Sequence, residues 1–254
     1  MKELIRKRAD SIVKQLGICG CRLSDIIENT EAEYTPPQVT LAAMKNAVDH
    51  TVLSFNATEN DVLRICDEAL KYGFKAICIN PVWVRTAFEH RKINKGSYLI
   101  ATVVNFPLGA STVQASVAET KQALTDGADE IDLVMGIGLL KSGKLKEVYE
   151  NIKAVASCGG YLKVILETSE LTVEEKIDGA LISVLAGANM LKTSTGFSGK
   201  AALEDVKLLR TIAGNRLGVK AAGGIRDKSA LIDMINAGAD RIGCSSSVNI
   251  AEKW

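Results

Sequence analysis

A chain of 254 residues with 31 Lys+Arg against 30 Asp+Glu carries a formal net charge of +1, which leaves no basic excess for general binding of nucleic acid. Hydrophobic residues make up 47% and charged residues 24%, a mix that excludes a disordered chain and fits one large domain or two small ones. No run is apolar and long enough to cross a bilayer, and Met1 to Lys7 lack the apolar segment of a secretory signal, so a cytoplasmic protein without a membrane partner is expected.

In chain order, Leu4, Ile5, Ile12, Val13 and Leu16 predict one amphipathic helix. A polar stretch from Asn29 to the Pro36-Pro37 breaker follows. Residues 1–45 therefore read as a helical extension packing on a main domain, 46–254. Within that domain, short apolar runs alternate with amphipathic stretches. Strands are predicted at 48–53, 76–80, 99–105, 130–135, 162–167, 190–193, 218–221 and 241–244. Thr58 is placed to cap a helix that buries Val62, Ile65, Cys66 and Ala69. Val113, Val117 and Leu124 mark another helix, and Thr172 with Glu175 forms a capping box before Val173, Ile177, Leu181 and Val184.

A small repeat sets the architecture. Gly-Ala-Asp or Gly-Ala-Asn at Gly127, Gly187 and Gly238 each follows a helix and precedes a strand, with glycine ending the helix in a left-handed turn. Each interval holds two strand–helix units, so one unit is roughly 25–30 residues long. Eight such units make a (β/α)8 barrel. An open doubly wound sheet would carry a glycine fingerprint after its first strand, where the chain has Ser54-Phe55-Asn56-Ala57-Thr58.

Asp132, Lys163, Lys192 and Lys220 stand inside otherwise apolar strand runs. Charge buried in a core is costly unless paired, and burial beside another cation turns a lysine into a neutral nucleophile. Asp132, Lys192 and Lys220 converging in one barrel suit Schiff-base chemistry; a purely structural ion-pair network is the alternative. After the seventh strand come Gly223-Gly224-Ile225-Arg226, and after the eighth Gly243-Cys244-Ser245-Ser246-Ser247. Glycines and hydroxyls after the last two strands of a barrel suit a phosphate, with Arg226 either meeting that phosphate or solvating a helix start. His50 reads as a hydrogen-bonded structural histidine, and Cys78 as a buried small hydrophobe. Trp83 and Trp254 read as packing residues. Six scattered cysteines, Cys19 and Cys21 among them, read as free thiols, and two histidines leave little for a histidine-rich metal site.

The segments Val48-Asp49-His50-Thr51, Lys163-Val164-Ile165-Leu166-Glu167-Thr168, Leu191-Lys192-Thr193-Ser194-Thr195-Gly196-Phe197 and Val219-Lys220-Ala221-Ala222-Gly223-Gly224-Ile225-Arg226 resemble the deoxyribose-phosphate aldolase family. So do Gly127-Ala128-Asp129-Glu130-Ile131-Asp132 and Arg241-Ile242-Gly243-Cys244-Ser245, and the likeness runs from about residue 46 to Trp254. The resemblance implies a class I aldolase without metal or cofactor, acting in deoxynucleoside catabolism. It would reversibly cleave 2-deoxy-D-ribose 5-phosphate to acetaldehyde and D-glyceraldehyde 3-phosphate. Lys192 would form the Schiff base, Lys220 would depress its pKa, and Asp132 would move protons through a water. Gly196, Gly223, Gly224, Ser245 and Ser246 would hold the phosphate end. The chain departs from the family pattern at Ser54-Phe55, where Lys-Pro is usual, at Asn105, where glycine usually precedes Phe-Pro, and at Gly136 after the fourth strand. Its partners would be the small phosphorylated sugar and acetaldehyde; a homodimer fits, although no interface motif marks one. A transaldolase-like enzyme and a non-catalytic sugar-phosphate sensor are the competing readings.

Overall fold

Eight parallel strands close into a barrel in chain order, β1 pairing with β8 to complete the ring. The computed structural model describes residues 1–19 and 34–254; Cys21 and residues 29–33 of the polar stretch lie outside the described residues. The strands are β1 (Val48–Val52), β2 (Ala76–Ile79), β3 (Leu99–Val104), β4 (Glu130–Val134), β5 (Tyr161–Ile165), β6 (Met190–Lys192), β7 (Gly218–Ala222) and β8 (Arg241–Cys244). Several predicted strands end one or two residues early in the structure. Leu53, Asn80, Asn105, Met135 and Thr193 already belong to the loops that leave the ring. Those loops build the face where barrels place their chemistry.

The helices are α1 (Lys2–Leu16), α2 (Leu41–Ala47), α3 (Glu59–Tyr72), α4 (Val84–Ile93), α5 (Val113–Thr125), α6 (Ile137–Lys141), α7 (Leu145–Ala156), α8 (Val173–Ala186), α9 (Leu203–Ala213), α10 (Lys228–Asn236) and α11 (Ser247–Glu252). Helix α3 starts at a capping box formed by Thr58 and Asp61 and buries Val62, Ile65, Cys66 and Ala69, as its spacing requires. The box between Thr172 and Glu175 opens α8. Val173 is exposed, contrary to its expected place on the buried face; the buried stretch of α8 begins at Ile177. Helix α5 also buries a different face: Ser116, Thr120 and Ala123 meet the core, while Val113, Val117 and Leu124 are half-buried. Ser116 and Thr120 tolerate burial because each hydroxyl donates to the carbonyl one turn earlier.

The glycine repeat has a second use. Gly127, Gly187 and Gly238 have φ of 106°, 103° and 119°, the left-handed region that ends a helix without a Cβ clash. Two residues later, Asp129, Asn189 and Asp240 each accept the backbone N–H of the second residue of the preceding odd strand. The acceptor distances are 2.7 Å to Ile100, 2.8 Å to Leu162 and 2.8 Å to Val219. The same tripeptide thus stops a helix and ties β3, β5 and β7 to their successors.

Helix α1 lies outside this ring. Ile5, Ala9, Ile12 and Leu16 bury one stripe in the main core, and α1 packs on α8. Arg8 Nε donates to Asp178 on α8 at 2.7 Å. Covered by the barrel on one side and α1 on the other, α8 is buried from Ile177 to Ala186. Helix α2, capped by Thr40 after Pro36-Pro37, was not signalled by the sequence, since seven residues give too short a period. It runs directly into β1 and spans the 45/46 boundary.

Candidate active site

Side chains alternate along a strand, so one residue in two points into the barrel. On β2 and β3 the inward set is small and apolar: Cys78, Ala101 and Val103. On the other six strands it is charged. Asp49 comes from β1, Glu130 and Asp132 from β4, Lys163 from β5, Lys192 from β6, Lys220 from β7 and Arg241 from β8. Register places Asp132 opposite Lys163 and Lys192 opposite Lys220.

All seven side chains are buried and joined. Asp132 Oδ1 accepts from Lys163 Nζ at 2.8 Å, and Oδ2 accepts from both Lys192 Nζ and Lys220 Nζ at 2.8 Å. Lys220 also meets Asp49 Oδ2 at 2.5 Å, and Lys163 meets Glu130 Oε2 at 2.6 Å. Beneath them Arg241 forks onto Glu130 with two bonds of 3.0 Å and reaches Asp49 Oδ1 through Nε at 2.7 Å.

The count does not balance: four basic side chains face three acidic ones. Lys192 is the most weakly held, since among the described residues its only carboxylate is Asp132, which it shares with Lys163 and Lys220. Burial pushes the Lys192 ammonium pKa down; Asp132 pulls it up and Lys220 pushes it down again, for a net fall. Lys220 goes the other way. Burial would lower it, but Asp132 and Asp49 outweigh burial and hold its proton. Burial would likewise raise the Asp132 carboxyl, yet the three lysines hold it well below the usual carboxylate range. The site therefore keeps an ionised carboxylate and a charged lysine beside the one amine that gives up its proton most readily.

Lys192 and Lys220 reach the floor of a cavity of about 330 Å³ at the C-terminal end of the strands. Thr195, Gly196 and Phe197 line it together with Gly223, Gly224, Arg226, Gly243 and Ser245, and Gly196 lies beside Gly223. Gly223 has φ of 106°, and a Cβ there would stand 2.8 Å from the Gly199 carbonyl oxygen, so only glycine lets this loop close against its neighbour. Asp132 lies behind both lysines rather than in the cavity wall. Ser246, expected at the phosphate end, does not line the cavity: its N–H donates to Cys244 Sγ at 3.2 Å as the chain turns into α11.

The comparisons with known proteins fall on this barrel. A family model described as DeoC/LacD family aldolase matches residues 43–250. The chain belongs to the DeoC/LacD aldolase family. The deoxyribose-phosphate aldolase of Thermococcus gammatolerans is 47% identical over 210 residues, covering 81% of this chain and 93% of that one. That of Caldanaerobacter subterraneus subsp. tengcongensis is 48% identical over 221 residues, covering 85% and 95%. Among solved structures, the tetrameric deoxyribose phosphate aldolase of Aeropyrum pernix superposes with a TM-score of 0.78 at 30% identity, over 91% of this chain and 97% of that one.

In this aldolase the residues expected to act together, Asp132, Lys192 and Lys220, do converge, with Lys163 joining from the fourth side. Gly196, Gly223, Gly224 and Ser245 line the same cavity. His50 is buried and hydrogen-bonded on the outer side of β1, and burial pushes the Cys78 thiol above its ordinary value. Among the described residues no group of three or more His, Cys, Asp or Glu is placed to hold a metal ion, and no helix is long and apolar enough to cross a membrane.

Sequence reasoning missed Asp49, Glu130 and Arg241. The signal was present in strand parity: Glu130 shares a face with Asp132 two residues on. Replacing Arg241 with leucine is expected to cost about 3 kcal/mol of stability, the scale for breaking a buried ion pair. Urea unfolding measures it, and a loss below about 1 kcal/mol, the surface-pair scale, would show that the lower layer is dispensable.

Proposed function

We propose that this aldolase reversibly cleaves 2-deoxy-D-ribose 5-phosphate to acetaldehyde and D-glyceraldehyde 3-phosphate through an imine on Lys192, in deoxyribonucleotide catabolism. The observation that carries the reading is the unbalanced lysine cluster, in which Lys192 alone has a lowered pKa and faces the cavity. Its neutral amine adds to C1 of the open-chain sugar, and loss of water leaves a protonated imine. That imine draws electrons from the C2–C3 bond as the C3 hydroxyl loses its proton. The C3–C5 fragment leaves as glyceraldehyde 3-phosphate, and the remaining enamine takes a proton at C2. Hydrolysis releases acetaldehyde and restores the amine. Asp132, held ionised by the three lysines, accepts and returns protons through a water, and Lys220 keeps a positive charge beside Lys192 throughout.

The phosphate belongs in the glycine-rich part of the cavity, against Gly196, Gly223, Gly224, Ser245 and Arg226. Backbone at positive φ approaches an anion closely there, and Arg226 adds charge. The relatives' shared name supports this substrate.

Borohydride reduction in the presence of acetaldehyde, followed by peptide mass spectrometry, tests the reading. An ethyl group on the peptide carrying Lys192 is expected. Its appearance on Lys220 would exchange the two lysine roles, and no adduct at all would remove the imine route. Asp132→Asn is expected to lower kcat by roughly 10²–10⁴-fold, the range for a proton-transfer group, with little change in KM. A change confined to KM would contradict that role.

A further inference from the structure

A hydrogen-bonded chain runs directly behind the β8 loop, and the aldol chemistry makes no use of it. Asp49 points into the barrel, so its neighbour His50 points out, between α3 and α11. His50 Nε2 lies 2.6 Å from Glu68 Oε2 on α3, and Nδ1 lies 3.2 Å from Ser247 Oγ at the start of α11. Ser247 Oγ is also 2.9 Å from the Cys244 carbonyl oxygen, and Arg64 Nη1 bonds both oxygens of Glu68. Phe74 covers the imidazole with ring centroids 5.2 Å apart.

Counting protons fixes the tautomer of His50. Burial would raise the Glu68 carboxyl, but His50 and Arg64 outweigh it and keep Glu68 an acceptor. Nε2 must therefore carry a hydrogen. Burial lowers the His50 pKa, so the ring is neutral near pH 7 and Nδ1 is the acceptor. The Ser247 hydroxyl has one proton for two acceptors, the Cys244 carbonyl at 2.9 Å and Nδ1 at 3.2 Å, and so bridges the ring to the end of β8. Order and residue types match a hydrolase triad, but Ser247 is wholly buried, and no acyl group could reach it. What the chain does hold is the turn from β8 into α11, and that turn carries Ser245, which lines the cavity beside Gly243 at the end of β8.

We propose that His50 is a positioning residue for phosphate recognition, acting through Ser247 to fix the β8–α11 loop against β1. The inference rests on the assignment of that loop to the substrate phosphate. It deepens that reading by naming a residue outside the cavity that sets affinity for the phosphorylated substrate.

The test compares 2-deoxyribose 5-phosphate with unphosphorylated 2-deoxyribose in the wild type, Ser247→Ala, His50→Leu and His50→Asn. Ser247→Ala removes a single oxygen and is expected to raise KM for the phosphorylated sugar about tenfold, the cost of one buried hydrogen bond. Its kcat is expected to stay within about twofold, and kcat/KM for the unphosphorylated sugar to be unchanged. His50→Leu should match it, and the double variant should be no worse than either single one. His50→Asn, which keeps an acceptor facing Ser247, should restore most of the loss. Should His50→Leu fail to fold, Ser247→Ala decides. Equal losses on both sugars, or none on the phosphorylated one, would overturn the proposal alone. A wild type that treats the two sugars alike would overturn the phosphate assignment, and the proposal with it.

Discussion

Lys192→Ala is expected to lower kcat by roughly 10⁴-fold or more, the scale for loss of a covalent nucleophile, while the barrel remains folded. The second half of that statement is as specific as the first. Removing a partner from a buried ion pair normally destabilises a protein because it strands the opposite charge. Here it strands nothing. Asp132 keeps Lys163 and Lys220, both at 2.8 Å, and the cluster passes from four basic and three acidic groups to three of each. The variant's melting temperature should equal or exceed that of the wild type. Acetaldehyde release and thermal unfolding measured on one preparation check both halves. A near-wild-type rate would remove Lys192 as nucleophile, and a large drop in melting temperature would mean that the surplus cation is not a strain on the fold.

Lys220→Met should act through pH. In the wild type, burial and the Lys220 charge lower the Lys192 pKa, while Asp132 raises it. Deleting Lys220 removes one of the two lowering causes and leaves Asp132 freer to hold the Lys192 proton, so the Lys192 pKa rises. In the proposed reaction the reactive form is the neutral amine, which forms as pH climbs through that pKa. The acid limb of the pH–rate profile must therefore move to higher pH. Each unit of movement costs about tenfold in rate at a fixed pH below the new value. At pH 7 the variant is expected to lose kcat/KM and to regain part of it on the alkaline side. A limb that stays in place, or moves to lower pH, would show that Lys220 does not set the amine's charge. Asp49 retains its Arg241 partner in this variant, so the fold should tolerate the change better than Arg241→Leu.

Several of the signals were local, and the sequence carried those. Capping at Thr58 and Thr172, the apolar spacing of α3 and the glycines at 127, 187 and 238 each depend on residues within one helical turn or at one backbone conformation. Counting those units was enough to reach eight strands and to place Asp132, Lys192 and Lys220 on the fourth, sixth and seventh. An ionisable residue inside an apolar strand is conspicuous because burial makes it costly.

The partners of those residues were not legible in the same way. Glu130 and Arg241 stand at the starts of their strands, where a charged residue usually faces water, and Asp49 follows the first residue of its own. Only closure of the ring brings β1, β4 and β8 to one point and makes Arg241 a fork between Asp49 and Glu130. Nor could the chain order foretell that α1 covers α8, that α5 buries Ser116 and Thr120 rather than its valines, or that the Ser246 N–H bonds back to Cys244. By itself the sequence determined the eight strand–helix units and that Asp132, Lys163, Lys192 and Lys220 stand inside apolar strands. The tertiary structure alone decided which charges meet, and so which lysine is left without a carboxylate of its own, because pairing energies depend on distances between strands that are remote along the chain.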